Sequence, residues 1–285
     1  GIMYCMGKVM PETAYEFSLE SDADIAIYVL ARNSGEGADR TMVAGDINLT
    51  ETEIRDILAL QKQYDKFLLV LNVGGMVDLT PVNTVENILL LGQLGTPTGD
   101  VLADLVLGKS YPSGKLAMTW APIAEYPSTE GFGDPDDTYY REGIYVGYRY
   151  FDTVGKEVTY PFGYGLSYTT FDISAVTLDQ NEMDKNGRIA AHVTVKNTGD
   201  TAGCDVVQLY IRDDYSDVVR PVRELKGFRR VELAPGKEQE VTFYITEEDL
   251  RYYRLDGTFG SEPGTFNVFV GDSSTTENSA VFTLK

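Results

Sequence analysis

The sequence is poor in the residues that build metal sites, disulfide frameworks and histidine-based catalytic systems. Its 285 residues include two cysteines and one histidine. Cys5 and Cys204 lie about 200 positions apart, which argues against a disulfide framework and against a thiolate metal cluster. His192 alone leaves little room for a zinc site or a Ser-His-Asp triad. We therefore expect no metal and no cofactor.

Basic residues are also few, with 24 Lys and Arg against 44 Asp and Glu. The formal net charge is −20 and the sequence pI is near 4.4. Such a surface repels phosphate backbones and anionic lipid headgroups, so we expect neither nucleic-acid nor membrane partners. Neutral or cationic partners, and homo-oligomers, remain open.

Long hydrophobic runs are missing. Apolar stretches such as 67–73 are too short for a transmembrane helix. Residues 1–10 lack the basic and apolar regions of a retained signal peptide. The acidic composition and scarce cysteine fit a cytoplasmic and an exported protein equally well, so the compartment stays open.

Residues 1–122 alternate apolar runs with helical patterns. The predicted strands, apolar on both faces and so expected to be buried, lie within 24–33, 67–73 and 87–91. Thr50 and Glu53 predict a capping box at the start of a helix, and Pro97 and Gly108 bracket a second helix. Strands alternating with helices favour parallel pairing. This pattern predicts an α/β layered sandwich domain.

The rest of the chain divides into two segments that differ in composition and periodicity. Residues 123–170 are rich in Pro, Gly, Asp and aromatic residues, and we expect a connecting segment that packs against both domains. In residues 171–285 the apolar positions recur with period two, as in Ile189, Ala191 and Val193. This half is predicted to be an all-β, immunoglobulin-like sandwich. His192 falls on the outward face of that pattern, so we expect it at the surface.

A predicted loop with candidate catalytic residues follows the first predicted strand. It reads Ser-Gly-Glu-Gly-Ala-Asp-Arg from Ser34 to Arg40. Open α/β sheets bind ligands beyond the carboxyl ends of their strands, and a carboxyl group that loses water as a site closes can donate a proton. The same residues also fit a solvated surface turn. The loop lacks the third glycine of the dinucleotide fingerprint and the Gly-Lys-Ser/Thr ending of a phosphate loop, so a nucleotide is not expected.

Several motifs, taken together, resemble glycoside hydrolase family 3, the β-glucosidase and β-xylosidase family. In chain order they are Asn33–Gly37 with Asp39-Arg40, Pro112–Leu116 with Thr119-Trp120, Glu142–Phe151 and Tyr160–Phe171. The C-terminal half resembles the fibronectin type III-like domain of that family, through Arg220-Pro221, Arg223–Phe228 and Leu233–Gly236.

The resemblance implies part of a retaining β-glycosidase, foremost a β-glucosidase that hydrolyses terminal non-reducing β-D-glucosyl residues. Family members carry the nucleophilic aspartate on a (β/α)₈ barrel and, in many of them, the general acid/base glutamate on a loop of the α/β sandwich domain. Glu36 matches that glutamate. Ser34, Asp39 and Arg40 are candidate substrate ligands, although Asp39 and Arg40 fit a structural ion pair equally well.

The barrel is not among these 285 residues. We therefore expect the chain to act on a β-glucoside only with a barrel domain or chain as its partner, and to be inactive alone. The alternative is a carbohydrate-binding or scaffold module without catalysis. A third interpretation, an adhesion-type α/β plus immunoglobulin-like protein, predicts none of the motifs.

Aromatic residues give two further expectations. Tyr139 and Tyr140, in the loop-rich middle, are candidates for stacking on a sugar ring. The fibronectin type III-like domain is expected to brace the sandwich rather than bind a ligand, because its predicted loops show no aromatic cluster beyond Tyr215.

Overall fold

The computed structural model describes residues 18–32, 40–127 and 136–285, which fall into two compact units. The first unit holds the described residues up to Lys109 together with Pro122–Ala124, and the second holds Ser110–Ala121 and the described residues from Glu125 to Lys285. The predicted domain boundaries at 122 and 170 stay predictions. Within these ranges every helix is too short or too polar to span a lipid bilayer.

The described residues of the first unit form a three-stranded parallel sheet with helices. Its elements are β1 (Ile25–Ala31), α1 (Glu51–Gln63), β2 (Lys66–Asn72), a 3₁₀ turn (Thr80–Val82), β3 (Ile88–Leu90) and α2 (Thr98–Val106). The strands lie in the order β1-β2-β3, all parallel as predicted. The predicted capping box is confirmed: the Glu53 N–H donates to Thr50 Oγ1 (3.1 Å), and the Thr50 N–H donates to the Glu53 carboxylate (2.9 Å).

Strand β1 differs from the expectation of burial on both faces. The side chains of Ile25, Ile27 and Val29 are between 42% and 51% exposed, whereas residues 69–71 of β2 are buried. The expectation was wrong because an apolar pattern reports which side chains a strand carries, whereas burial depends on what covers each face. Ile25, Ile27 and Val29 alternate along β1 and so share one face, which the described residues leave exposed, whereas Leu30 on the other face is buried.

The second unit contains a sandwich of two sheets. Its strands are β4 (Phe171–Ile173), β5 (Thr177–Leu178), β6 (Glu182–Met183), β7 (Arg188–Asn197), β8 (Gly203–Asp213), β9 (Glu224–Leu233), β10 (Glu238–Thr246), β11 (Tyr252–Tyr253), β12 (Phe259–Gly260), β13 (Gly264–Gly271) and β14 (Ser279–Leu284). One sheet has the order β10-β7-β4, with β5 also on β7, and the other has the order β6-β14-β13-β8-β9. The unit also contains α3 (Tyr148–Val154), α4 (Glu247–Leu250) and a separate two-stranded sheet of β11 and β12. A further 3₁₀ turn, Ile123–Glu125, falls mostly in the first unit.

Both sheets contribute to one apolar core. The inward residues predicted from the period-two pattern, among them Ile189, Val193 and Val268, are fully buried in it. Pairing is antiparallel except for the short parallel contact between β6 and β14. The predicted fold class, an α/β sandwich domain followed by an all-β fibronectin type III-like sandwich, is confirmed.

Part of the segment between the two predicted domains packs within the second unit. Trp120 and Tyr160 exchange backbone hydrogen bonds (2.8 and 2.9 Å), and Trp120 is buried. The ammonium group of Lys115 reaches the Asp205 carboxylate on β8 (2.7 Å) and the Gly165 carbonyl (2.6 Å). Lys115 and Trp120 both belong to the second family motif, so these residues have a structural role.

Helix α3 is fastened to the start of β9 at both of its ends. The Leu225 N–H donates to the Tyr148 hydroxyl and the Val222 N–H donates to Thr153 Oγ1, each at 2.9 Å. The Tyr148 ring also packs against Tyr210, with ring centroids 5.9 Å apart. The third family motif is thereby joined to the fibronectin type III-like sandwich.

Candidate active site

The loop with the predicted acid/base residue follows β1 at the carboxyl edge of the parallel sheet. Ser34, Glu36 and Asp39 lie outside the described residues, so their roles stay predictions. The residues on either side of the gap, Arg32 and Arg40, are described.

Asp46 binds both of these arginines. Arg32 Nε donates to the Asp46 backbone carbonyl (2.6 Å), and Arg40 Nε donates to the Asp46 carboxylate. The other carboxylate oxygen accepts from the Thr41 N–H (2.6 Å) and the Thr41 hydroxyl (3.0 Å). We call this arrangement of Arg32, Arg40, Thr41 and Asp46 the Asp46 clamp. It ties both ends of the 33–39 segment to one buried residue.

A tight turn before α1 places Asp46. Gly45 has a φ of +86°, a conformation that glycine adopts without the steric cost a Cβ would bring. Its N–H donates to the Asn48 carbonyl (2.9 Å), and the Asp46 N–H donates to the Val43 carbonyl (3.2 Å). The turn therefore holds the Asp46 backbone while its carboxylate binds Arg40.

The clamp is connected to helix α1 through Arg32. Arg32 Nη1 and Nη2 donate to the two carboxylate oxygens of Glu53 at 2.7 and 2.8 Å, and both side chains are largely buried. Such fork-to-fork pairs are among the strongest ionic hydrogen bonds in proteins. Glu53 is also the capping-box residue, so one carboxylate starts the helix and anchors the near end of the loop.

Arg40 makes a further contact beyond the end of β2. Its Nη2 donates to the Met76 carbonyl (3.2 Å). A Cβ placed on Gly75 would lie 3.0 Å from Arg40 Nη1, so the glycine leaves room for the guanidinium. Arg40 thus forms a structural ion pair with Asp46, a partner that the sequence did not indicate, while its predicted contact with a sugar stays a prediction.

The electrostatics of Asp46 favour a permanently ionised group. Burial pushes the pKa of Asp46 upward, but the hydrogen bonds from the Thr41 backbone and from Arg40 outweigh it and hold that pKa below its ordinary value. Asp46 is therefore a carboxylate at neutral pH, suited to holding cations rather than donating a proton.

The other candidates from the sequence lie in the second unit. Tyr139 and Tyr140 are 54% and 69% exposed, and the Arg141 guanidinium lies 5.6 Å from the centre of the Tyr139 ring. Their predicted role in sugar stacking stays a prediction. His192 is partly exposed and lies 3.0 Å from the Thr242 hydroxyl. In the described part of the chain, no three or more His, Cys, Asp or Glu side chains are arranged to hold a metal ion.

Comparison with known proteins identifies two domains. Residues 12–168 match the glycosyl hydrolase family 3 C-terminal domain, and residues 205–274 match a fibronectin type III-like domain. The first match therefore runs beyond Lys109 into the second compact unit.

Curated relatives and solved structures agree with these matches. The chain is 38% identical to thermostable beta-glucosidase B of Acetivibrio thermocellus over 89% of its own length and 34% of that protein. It is 36% identical to beta-glucosidase BoGH3A of Bacteroides ovatus over 95% of its own length and 38% of that protein.

Among solved structures, beta-glucosidase 3B from Thermotoga neapolitana in complex with glucose matches 91% of this chain with a TM-score of 0.82 and 36% identity. The GH3 beta-glucosidase of Bifidobacterium adolescentis matches 92% with a TM-score of 0.84 and 35% identity. The chain covers 37% and 39% of these two structures, and so spans little more than a third of the proteins it resembles. The domain matches, the relatives and the shared fold together place the chain in glycosyl hydrolase family 3, as a C-terminal domain followed by a fibronectin type III-like domain.

Proposed function

We propose that this chain is the acid/base-bearing part of a retaining β-glucosidase whose nucleophilic aspartate lies on a (β/α)₈ barrel outside these 285 residues. The observation that carries the proposal is the Asp46 clamp, which ties both ends of the segment containing Glu36 to Asp46 in the turn before α1. The names of the relatives, all beta-glucosidases, support the choice of substrate.

The clamp suits a general acid because such a group must be held close to the bond that it protonates. A retaining glycosidase needs two carboxyl groups about 5 to 5.5 Å apart, one attacking the anomeric carbon and one protonating the leaving oxygen. In the second step the same acid/base removes a proton from the attacking water. Two fixed ends limit where a short loop can carry its carboxyl group, which is the positioning that catalysis requires.

The surface of the second unit supports a barrel partner. Seven large apolar side chains between residues 139 and 168 are 48% to 71% exposed: Tyr139, Tyr140, Ile144, Val146, Val154, Leu166 and Tyr168. Extensive exposed apolar surface commonly marks a site of protein contact. A barrel domain packed here would bury these side chains.

The proposal is tested in the full-length protein that contains the barrel, by replacing Glu36 with Gln. We expect a loss of roughly 100-fold or more in kcat/KM for alkyl β-glucosides, because general acid catalysis contributes about 10² to 10⁴ and poor leaving groups depend on it. Activated aryl β-glucosides need less protonation of the leaving group, so their glycosylation step should lose much less.

Glu86→Gln, which replaces an exposed glutamate of the first unit, is the matched control and should leave both substrates unaffected. An equal loss on alkyl and aryl glucosides would remove Glu36 from the acid role. A complete reading frame without a barrel would instead favour the non-catalytic module.

A further inference from the structure

The β11–β12 hairpin of the second unit presents aromatic rings to solvent. Tyr253 and Phe259 pair across the two strands with ring centroids 4.9 Å apart. Tyr253 is 73% exposed and Phe259 is 57% exposed, and Leu255 at the tip is 81% exposed. We call Tyr253, Leu255 and Phe259 the hairpin platform. Its presence makes the expectation of no aromatic cluster beyond Tyr215 wrong.

The hairpin is held from behind by Tyr252. This side chain is buried, and its hydroxyl lies 2.5 Å from a Glu262 carboxylate oxygen and 3.0 Å from an Asp217 carboxylate oxygen. The Arg220 guanidinium lies over the Tyr252 ring, 4.6 Å from its centre. Successive residues of β11 therefore face opposite sides of the hairpin: Tyr252 anchors it to the unit, and Tyr253 faces solvent.

The tip of the hairpin is also fixed. The Arg254 N–H donates to the Thr258 carbonyl (2.8 Å), and the Thr258 N–H donates to the Asp256 carboxylate (2.9 Å). Gly257 has a φ of +81°, which suits the turn. The Arg254 guanidinium binds Glu262. The two rings are consequently presented on a preorganised support, which lowers the entropy cost of binding.

The size of the platform favours a small flat ligand over a second protein. An aromatic side chain buries about 150 to 250 Å² when fully covered, so the two rings offer at most about 500 Å². A stable protein interface needs about 800 Å² from each partner. A second copy of the chain would therefore have to make most of its contact elsewhere.

The charge of the molecule further restricts the class of ligand that the platform could bind. Behind the rings, Asp217 and Glu262 accept from the Tyr252 hydroxyl and bind Arg254, and at the tip Asp256 accepts from the Thr258 N–H. With a net charge of −20, the molecule repels anionic ligands. The exposed aromatic faces suit the apolar faces of pyranose rings.

We propose that the hairpin platform is a secondary binding site for a neutral, β-linked glucose polymer, separate from the site of hydrolysis. The choice of β-linked glucose rests on the proposed function; the preference for a neutral carbohydrate rests on the exposed rings and the negative net charge. The platform would keep a polymer at the protein after a single glucosyl unit has been released.

Binding is measured on the 285-residue chain by affinity electrophoresis in gels containing a soluble mixed-linkage β-glucan, and by calorimetric titration with cellohexaose. We expect retardation and a measurable Kd for the unmodified chain. Tyr253→Ala and Phe259→Ala should each weaken binding at least tenfold, whereas Tyr253→Phe, which keeps the ring, should bind nearly as well. Tyr244→Ala is the matched control, because Tyr244 is a 56% exposed tyrosine on β10 in the same unit.

No binding by the unmodified chain, equal binding by Tyr253→Ala, or equal retardation by the α-linked glucan dextran would overturn the proposal. A concentration-dependent dimer that Phe259→Ala abolishes would assign the platform to a second copy of the chain instead. Glu36→Gln should bind the glucan normally, so a failure of the acid/base assignment and a failure of this binding site give different results.

Discussion

At the scale of single residues, Asp46 is the group whose role depends most on the folded structure. Its partners Arg32 and Arg40 stand on either side of residues 33–39, and it meets them through both its backbone and its side chain. In the sequence Asp46 is one of 44 acidic residues, placed between a glycine and an isoleucine. Nothing in that local pattern indicates which cations it meets, so the clamp could not be predicted.

Replacing Asp46 with Ala should lower the free energy of unfolding of the first unit by about 2 kcal/mol, because hydrogen bonds to charged groups contribute about 1.5 to 3 kcal/mol each. Arg40 and Thr41 would lose their shared acceptor. Amide hydrogen exchange along β2 measures the effect in this unit alone. A 2 kcal/mol loss corresponds to roughly 30-fold less protection.

Asp65→Ala, an exposed carboxylate just before β2, serves as the control and should change protection little. The pKa of Asp46 is lowered on folding, so its contribution is present above pH 3.8, its ordinary value, and is lost as the pH falls through the lower folded-state pKa. The difference between Asp46→Ala and the unmodified chain should therefore shrink in acid. A difference that stays constant into strong acid would contradict the ionic role.

At the scale of elements, helix α3 and strand β9 are joined around a partly buried carboxyl group. Burial raises the pKa of Asp152 on α3 to about 6, against the opposing influence of the Ser274 hydroxyl and the Arg223 guanidinium. Arg223 itself lies 4.2 Å from the centre of the Phe269 ring and donates to the Thr276 carbonyl (2.6 Å). We therefore expect the contact between α3 and the sandwich to depend on pH.

The contribution of Asp152 to the stability of the second unit should fall as the pH rises from about 4 to about 6. In this window the folded state holds a proton on Asp152, with a pKa of about 6, that the unfolded state, with the ordinary value of 3.8, has released. Asp152→Asn removes this dependence, so its stability relative to the unmodified chain should increase across the window and level off above it.

Urea denaturation at several pH values, followed by hydrogen exchange in β9, measures this trend. Asp172→Asn, an exposed aspartate on β4, is the control and should follow the unmodified chain. Parallel pH profiles for Asp152→Asn and the unmodified chain would refute the assignment.

The elements that could be predicted are those determined by residues close together in the sequence. Thr50 and Glu53 meet within four residues, so the sequence was enough to place the start of α1. Alternation over ten residues gave the buried face of β7. The hairpin platform was missed because β11 and β12 have two residues each, too few for a period, and its rings meet only after the turn has formed.

At the scale of the whole molecule, family membership and exposed surface lead to the same expectation. The chain spans 34% of the thermostable beta-glucosidase B that it resembles, and apolar side chains between residues 139 and 168 are exposed. The sequence motifs were enough to predict the family and the fold class. The surface that a barrel would cover could be recognised only from the exposed fractions of side chains in the folded chain.

In the full-length protein, Leu166→Asp should lower both the thermal unfolding midpoint and kcat/KM for an aryl β-glucoside. Leu166 is 71% exposed, and a charge at this position would be buried without a partner if the barrel packs here. In the isolated 285-residue chain the same substitution should have little effect, because the side chain is already in water. Differential scanning calorimetry and steady-state kinetics measure the two readouts.

Val219→Asp, at a 73% exposed valine of the same unit, is the matched control. It should leave both quantities unchanged in the full-length protein. Similar small effects from both substitutions, or an equal loss of stability in the isolated chain, would argue against a barrel contact at Leu166.

Trp120 is the only tryptophan in the chain, and it is buried in the second unit, where it bonds to Tyr160. Trp120 fluorescence during denaturation therefore reports the unfolding of the second unit and does not report the unfolding of the parallel sheet. A shift in fluorescence at a lower denaturant concentration than the loss of helical ellipticity from α1 would reveal, without any label, that the two units melt separately.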